Sequence, residues 1–333
     1  MRILITGGGT GGHLSVAKSL KEAFKKKDAT LYYIGSIQGQ DRSWFENDED
    51  FQKKLFFDVE GVVNKKGINK IRALTDIVRA SFAAKKLIKN ESIDAVVSVG
   101  GYSAAAASFA ALQLNLPLFI HEQNAVKGKL NRLLSPFAKR VFCSFVPPYD
   151  PYPVQNIFYE TRRIRKELTT IIFLGGSQGA KQINDLAMSW AKELQKHNIK
   201  IIHQTGTRDF ERVRSFYAKE RIEADVFAFD QNLAQKIVQA DFAVSRSGAS
   251  TLWELATNLL PALYIPYPYA AGDHQKHNAL FLYRHDASMV FEGQSPQDIL
   301  SLNIFSMSEN LLPFSRPDGA TKIVLSIVKM IEK

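Results

Sequence analysis

Short, almost uninterrupted apolar runs alternate along the chain with longer segments whose apolar residues recur every three or four positions. RILIT (2–6), TLYYIGS (30–36), DAVVSVGG (94–101) and LPLFIHE (116–122) show the first pattern and predict buried strands. HLSVAKSLKEAFKKK (13–27), INKIRALTDIVRASFAAKKLIKN (68–90) and AAAASFAALQL (104–114) show the second and predict helices. Strands without a polar face, joined by amphipathic helices, imply a parallel sheet covered on both sides. In VPPYDPYPVQN (146–156), Pro147, Pro148, Pro151 and Pro153 end regular structure and mark a linker. The alternation then restarts, with strands predicted in TTIIFLGG (169–176), NIKIIHQTG (198–206), ADVFAFD (224–230), ADFAVSRSG (240–248) and LPALYIPYP (260–268).

The two halves open alike. MRILITGGGTGGHLSVAKSL (1–20) and TTIIFLGGSQGAKQINDLAM (169–188) both run from a strand through a glycine-rich turn into a helix. The fold class expected is therefore α/β, two Rossmann-like domains with parallel sheets in tandem. Their bounds are 1–146 and 154–315, with 316–333 as a terminal helix. That helix sets Ile323, Ile327 and Ile331 on one face beside Val324 and Val328, so it needs a partner surface, for which the first domain is the expectation.

Composition narrows the class only a little. Of 333 residues 45% are hydrophobic and 23% charged, as in ordinary globular proteins. Cys143 is the only cysteine, which excludes disulfides, fits a reducing cytoplasm and, after Val141 and Phe142, reads as a buried inert thiol. Met1–Thr6 is too short an apolar stretch for a signal peptide. Ala95–Ile120 carries no charge, but Gly100, Gly101 and Pro117 cut it into pieces below the ~20 residues of a membrane span. The net charge of +10 points to an anionic partner. Nucleic acid is not expected, because aromatic residues do not interleave with the basic ones as a stacking platform requires.

A glycine-rich turn feeding a helix N-terminus favours an anion. Gly7, Gly9 and Gly12 give G-x-G-x-x-G literally, but a dinucleotide also needs an acid ending the second strand; here that strand ends in Gly35-Ser36, and Asp28 precedes it. GGSQGAK (175–181) lacks the spacing of an ATP-binding loop. Two such turns, one per half, suit a nucleotide sugar held in a cleft between domains. His13 directly follows the first turn, and the polar run His121–Asn124 closes a strand, where ligands approach open α/β sheets. His274 and His277 have no carboxylate motif beside them, and no metal site is expected.

GGGTGGH (7–13), SVGGYSA (98–104), HEQNAVKGKLNRLL (121–134), GGSQGAKQIN (175–184), SRSGASTLWEL (245–255) and HQKHNA (274–279) together resemble the MurG family of bacterial glycosyltransferases. The resemblance runs in family order over residues 3–290. It implies the two-domain GT-B architecture and inverting transfer of N-acetylglucosamine from UDP-GlcNAc to the 4-hydroxyl of an undecaprenyl-pyrophosphoryl muramyl pentapeptide, in peptidoglycan synthesis. UDP-GlcNAc is then a substrate, and no cofactor is expected. By the same resemblance His13 is the general base or orients a pyrophosphate, and Glu122 is a catalytic partner that tunes a histidine. Thr10, Gly11, Gly12, Asn124, Ser177, Arg246, Ala249, Ser250, Thr251, Glu254, Gln275 and Asn278 bind the donor. Ser177 belongs to an anion nest for the pyrophosphate, Glu254 takes the ribose diol, and Gln275 with Asn278 recognises the sugar. Tyr102, His121 and Asn131 lie on the acceptor side.

Three departures are visible: LSVAKSL follows His13 directly, about one helical turn short; Gln155 stands where the family has arginine; and Asp230 stands where it has an apolar residue beside the base. Segment 64–90 sets Lys65, Lys66, Lys70, Arg72, Arg79, Lys85, Lys86 and Lys89 against Asp76 alone, with Ile71, Leu74, Ile77, Val78 and Phe82 at helical spacing. A solvated face over a core stripe is one reading; with a lipid-linked acceptor, the other is a patch resting on anionic headgroups. That places the protein peripherally on the cytoplasmic face of the cell membrane, with other cell-wall synthesis proteins as partners. The rival readings are a diacylglycerol glycosyltransferase, a UDP-N-acetylglucosamine 2-epimerase and a non-catalytic nucleotide-sugar adaptor; HEQN points to the MurG family rather than to the first two, and Glu254, Gln275 and His13 together speak against the adaptor.

Overall fold

The computed structural model describes residues 1–62, 65–176, 179–230 and 232–332. Chain contacts divide it into two compact units, Met1–Val154 with Asp318–Lys333, and Gln155–Pro317.

In the first unit β1 (Arg2–Thr6), β2 (Thr30–Ser36), β3 (Phe51–Phe57), β4 (Ala95–Ser98), β5 (Leu118–Glu122) and β6 (Arg140–Cys143) form one sheet, order β3-β2-β1-β4-β5-β6, and every pairing is parallel. Its helices are α1 (Gly11–Lys25), α2 (Asp41–Phe45), α3 (Gly67–Asn90), α4 (Ala105–Gln113) and α5 (Lys129–Leu134). In the second unit β7 (Thr170–Leu174), β8 (Lys200–Gln204), β9 (Ala224–Phe227), β10 (Phe242–Ser245), β11 (Ala262–Tyr264) and β12 (Ser288–Val290) repeat the topology as β12-β11-β10-β7-β8-β9. Helices α6 (Asn156–Glu160), α7 (Lys181–Lys196), α8 (Phe210–Glu220), α9 (Leu233–Gln239), α10 (Ala249–Thr257), α11 (His274–Tyr283), α12 (Pro296–Leu300) and α13 (Ile304–Asn310) follow. Each sheet reverses its strand order beside the strand that opens its unit, β1 or β7. Ligands of doubly wound sheets gather outside the carboxyl ends of the strands at that point.

Three strands lie where the hydrophobic pattern predicted none: β3, β6 and β12. All three are sheet edges.

Helix α14 (Gly319–Ile331) packs on α1 within the first unit. Ile323, Val324 and Ile327 are buried, whereas Ile331 and Val328 are only partly so. Arg140 Nη1 donates to Ser326 Oγ at 2.7 Å and ties the helix to β6. Helix α3 corrects the core-stripe reading of its apolar residues. Ala73, Ile77, Ala80, Ala84, Leu87 and Ile88 face the core, while Ile71, Leu74, Val78 and Phe82 lie outside it, Phe82 at 63% exposure. With Ile68, they make an apolar stripe in solvent among the lysines and arginines. No helix of the described residues is long and apolar enough to cross a membrane.

Candidate functional site

In the first unit the polar residues singled out from the sequence follow three adjacent strands. β1 runs into the glycine turn, β4 into Gly100–Tyr102, and β5 ends in His121–Glu122. The turns meet backbone to backbone: Gly8 N donates to Gly100 O at 3.1 Å, and a Cβ on Gly101 (φ +79°) would stand 2.3 Å from Gly8 O. Only glycine permits that approach.

His13 sits in the first turn of α1, with Nδ1 2.8 Å from Thr10 Oγ1. Its Nε2 edge lies 3.4 Å from where a Cβ of Gly100 would be, and Asn131 Nδ2 lies 3.3 Å from the same point. The Tyr102 ring flanks Gly9. Thr10, the N-cap of α1, makes no side-chain capping bond, and the first turn of the helix itself holds no acid.

Glu122 departs from its expected part. Its Oε1 accepts from Asn124 N at 3.0 Å, and its Oε2 from Gly128 N at 3.0 Å and Asn131 Nδ2 at 2.8 Å. The carboxylate therefore braces the loop after β5, and no histidine is among these partners. Gln123 Nε2 donates to Gly12 O and joins that loop to the glycine turn. His121 is 1% exposed, and neither ring nitrogen has a partner among the described residues. Burial, with His13 nearby, pulls its pKa down to about 3, so it stays neutral. Cys143 is buried, and burial raises its thiol pKa, as expected of an inert cysteine.

The second unit repeats the plan after β7, β10 and β11, again adjacent. Ser177 lies outside the described residues. Gly176 and Gly179 have φ of +74° and +80° on either side of it, in the turn that leads to α7. Among the described residues Arg246 makes no ion pair: its Nη1 donates to Ile265 O at 2.9 Å, Pro266 O at 3.2 Å and Gln182 Oε1 at 3.1 Å, and its guanidinium lies over Tyr267. It clasps the loop after β11 to the start of α7. Helix α10 begins at Ala249 after Gly248, without side-chain cap or first-turn acid, so the amide end at Ala249, Ser250 and Thr251 suits an anion. One turn on, Glu254 Oε1 accepts from Ser250 Oγ at 2.9 Å, and burial raises the carboxyl pKa.

Gln275 and Asn278 hold the same loops from α11. Gln275 Oε1 accepts from Tyr267 N at 2.9 Å, and its carbonyl accepts from Ser247 Oγ. Asn278 is fully buried and donates to Ser247 O at 3.1 Å, so that amide hydrogen supports the loop. Among the described residues no three His, Cys, Asp or Glu side chains are grouped to hold a metal.

Two groups escaped the sequence reading. Asp41, fully buried, accepts from Gly9 N at 2.6 Å and Ser36 N at 3.1 Å. An acid had been sought only at the very end of β2, whereas Asp41 comes five residues later and reaches back. In the second unit Asn184, four positions past Ala180 in the GGSQGA turn, accepts from or faces His203 Nε2 at 3.0 Å through Oδ1 and donates to Thr205 O at 3.0 Å and Asp209 Oδ2 at 2.7 Å. It was visible as part of a motif, but its role as a buried hub was not.

Residues 3–143 match the glycosyltransferase family 28 N-terminal domain, and residues 170–321 its C-terminal domain. A protein of Wolinella succinogenes named UDP-N-acetylglucosamine--N-acetylmuramyl-(pentapeptide) pyrophosphoryl-undecaprenol N-acetylglucosamine transferase is 53% identical, over 97% of this chain and 98% of its own. A protein of the same name from Campylobacter jejuni is 49% identical, over 97% and 96%. Among solved structures, MurG of Acinetobacter baumannii superposes with a TM-score of 0.80 at 28% identity, covering 98% of this chain and 99% of that one.

Proposed function

Because the chain belongs to glycosyltransferase family 28 along nearly its whole length, we propose that it transfers N-acetylglucosamine from UDP-GlcNAc to an undecaprenyl-pyrophosphoryl muramyl pentapeptide. The observation that carries the chemistry is His13, fixed by Thr10 through Nδ1 and turned with its Nε2 edge toward Gly100 and Asn131 at the carboxyl end of the first sheet.

Displacement of UDP from an anomeric carbon needs a base for the incoming hydroxyl, a positive potential for the leaving diphosphate and donors that orient the sugar. His13 is the base in this reading. When Nδ1–H donates to Thr10 Oγ1, Nε2 keeps its lone pair and can take the proton of the acceptor 4-hydroxyl. Asn131 and Tyr102 line the acceptor side, and Glu122 holds Asn131 in place. In the second unit the amides opening α10 and the glycine turn before α7 receive the diphosphate, with Arg246 fixing the loop beside them. Glu254 accepts the ribose hydroxyls, and Gln275 orients the sugar from α11.

The reading extends to the membrane. The exposed stripe of α3, Ile68, Ile71, Leu74, Val78 and Phe82, stands among basic side chains and suits insertion between anionic headgroups, which would bring the protein to its lipid-linked acceptor.

The test is incubation with labelled UDP-GlcNAc and a lipid-linked muramyl pentapeptide. Label on the lipid is the expected result. UDP release that does not need the acceptor would favour a hydrolase or epimerase instead.

A further inference from the structure

One amide of the first glycine-rich turn, that of Gly9, faces an anion, and that anion is part of the chain. Asp41 is fully buried, and its Oδ2 lies 2.6 Å from Gly9 N, the short contact of a charge-assisted bond. Its Oδ1 accepts from Ser36 N at 3.1 Å and lies 3.2 Å from the Tyr33 hydroxyl, which donates to Gly7 O at 2.9 Å. No cation pairs with it among the described residues; two backbone amides, Gly9 N and Ser36 N, donate to the carboxyl group as amides donate to a bound phosphate.

Three glycines are shaped around this carboxyl group. A Cβ on Gly8 would stand 2.5 Å from Asp41 Oδ1, one on Gly35 2.7 Å from Oδ1, and one on Gly39 2.9 Å from Oδ2. Part of the glycine richness at the end of β1 thus makes room for a side chain of the protein itself. Gly9, held by Asp41, has φ +83° and lies against the Tyr102 ring, and the next residue is Thr10, which fixes His13.

We propose that Asp41 is the resident anion of this turn and a positioning residue for the transfer reaction: it fills the Gly9 amide in place of a substrate phosphate and thereby sets Thr10, His13 and Tyr102. The catalytic part of this statement rests on the proposed function; the occupancy of the amide does not.

The experiment uses the full chain with 15N-labelled glycine and the variants Asp41→Ala and Asp41→Asn. Asp41→Ala leaves a carboxylate-sized space lined by donors. The Gly9 amide resonance is expected to move upfield and to return, saturably, with added formate but not with chloride at equal ionic strength, while wild type ignores both. UDP-GlcNAc affinity, a property assigned to the second unit, stays unchanged in calorimetry, and transfer falls about 10–100-fold, as expected for displaced catalytic groups, recovering in part with formate. Asp41→Asn keeps the shape but points an N–H₂ at a backbone donor, so transfer falls without formate rescue, because the space remains filled. The idea is overturned if formate leaves the Asp41→Ala amide unmoved, or if either variant transfers like wild type. Should Asp41→Ala not fold, Asp41→Asn decides by the same transfer assay. Absence of transfer by wild type would refute the proposed function and leave the glycine resonance to judge Asp41.

Discussion

At the scale of single residues, the pair Thr10–His13 decides which imidazole nitrogen can act. The 2.8 Å contact can be drawn with either partner donating. Only with the threonine oxygen as acceptor does Nε2 keep its lone pair. Thr10→Val retains the shape but loses the acceptor, so both tautomers become available. It should lower kcat for transfer while leaving the Kd for UDP-GlcNAc unchanged, and Thr10→Ser should restore most of the rate. His13→Ala should lower kcat by about 10²–10⁴, the usual worth of a positioned base. A Thr10→Val enzyme with wild-type kcat would remove the threonine from this role. Glu122 belongs to the same scale but acts otherwise: three donors converge on it, so Glu122→Ala leaves Asn124 N, Gly128 N and Asn131 Nδ2 without acceptors. Its loss should lower thermal stability as well as activity, by about 1–3 kcal/mol for the buried donors.

Helices and strands carry the next set of consequences. Because Ile71 and Phe82 are exposed, Ile71→Ser with Phe82→Ser removes apolar surface that supports no core. The double variant should keep the wild-type melting temperature yet cosediment less with anionic vesicles, and high salt should weaken what binding remains. Unchanged cosedimentation would mean the stripe does not meet lipid. Helix α14 makes the opposite case. A Cβ at Gly319 would stand 2.1 Å from Tyr152 O, so Gly319→Ala must shift the helix start and should lower the melting temperature, with UDP-GlcNAc affinity kept. The same contrast explains what the sequence made legible. Central strands such as β1, β4 and β7 are buried on both faces and read as apolar runs. β3 has Lys53 and Lys54 mid-strand, β6 opens with Arg140, and β12 spans three residues; as edges they need no unbroken apolar run. The candidate residues could be picked out because their motifs sit at strand ends, whereas Asp41 could not: its contact depends on a chain reversal that brings position 41 back to position 9, and no local pattern encodes that. Helix α3 misled because two apolar faces share one periodicity, and only packing shows which of them is covered.

For the molecule as a whole, each unit contains one buried neutral histidine, and together they make stability depend on pH. His121 in the first unit and His203 in the second both have pKa values lowered from 6.5 to about 3, in each case chiefly by burial. In the unfolded chain both titrate near 6.5. Between about 6.5 and 3 the unfolded chain therefore binds protons that the folded chain does not, and stability falls as pH falls through that window; above it these two groups contribute no slope. The two histidines differ in what else they do. His203 bridges the Tyr217 hydroxyl at 3.0 Å and Asn184 Oδ1 at 3.0 Å, so replacing it sacrifices a buried network at every pH. His121 has no hydrogen-bond partner among the described residues and meets Tyr152 edge-on at 5.4 Å between ring centroids. His121→Phe removes the titration without removing a hydrogen bond. Denaturant unfolding at pH 7 and pH 5 should show wild type losing on the order of 1–2 kcal/mol per buried histidine over that interval. His121→Phe should lose less between the two pH values while matching wild type at pH 7, whereas His203→Phe should be weaker than wild type at both. If His121→Phe loses as much stability on acidification as wild type, the ring of His121 is protonated in the folded protein and must have a partner there.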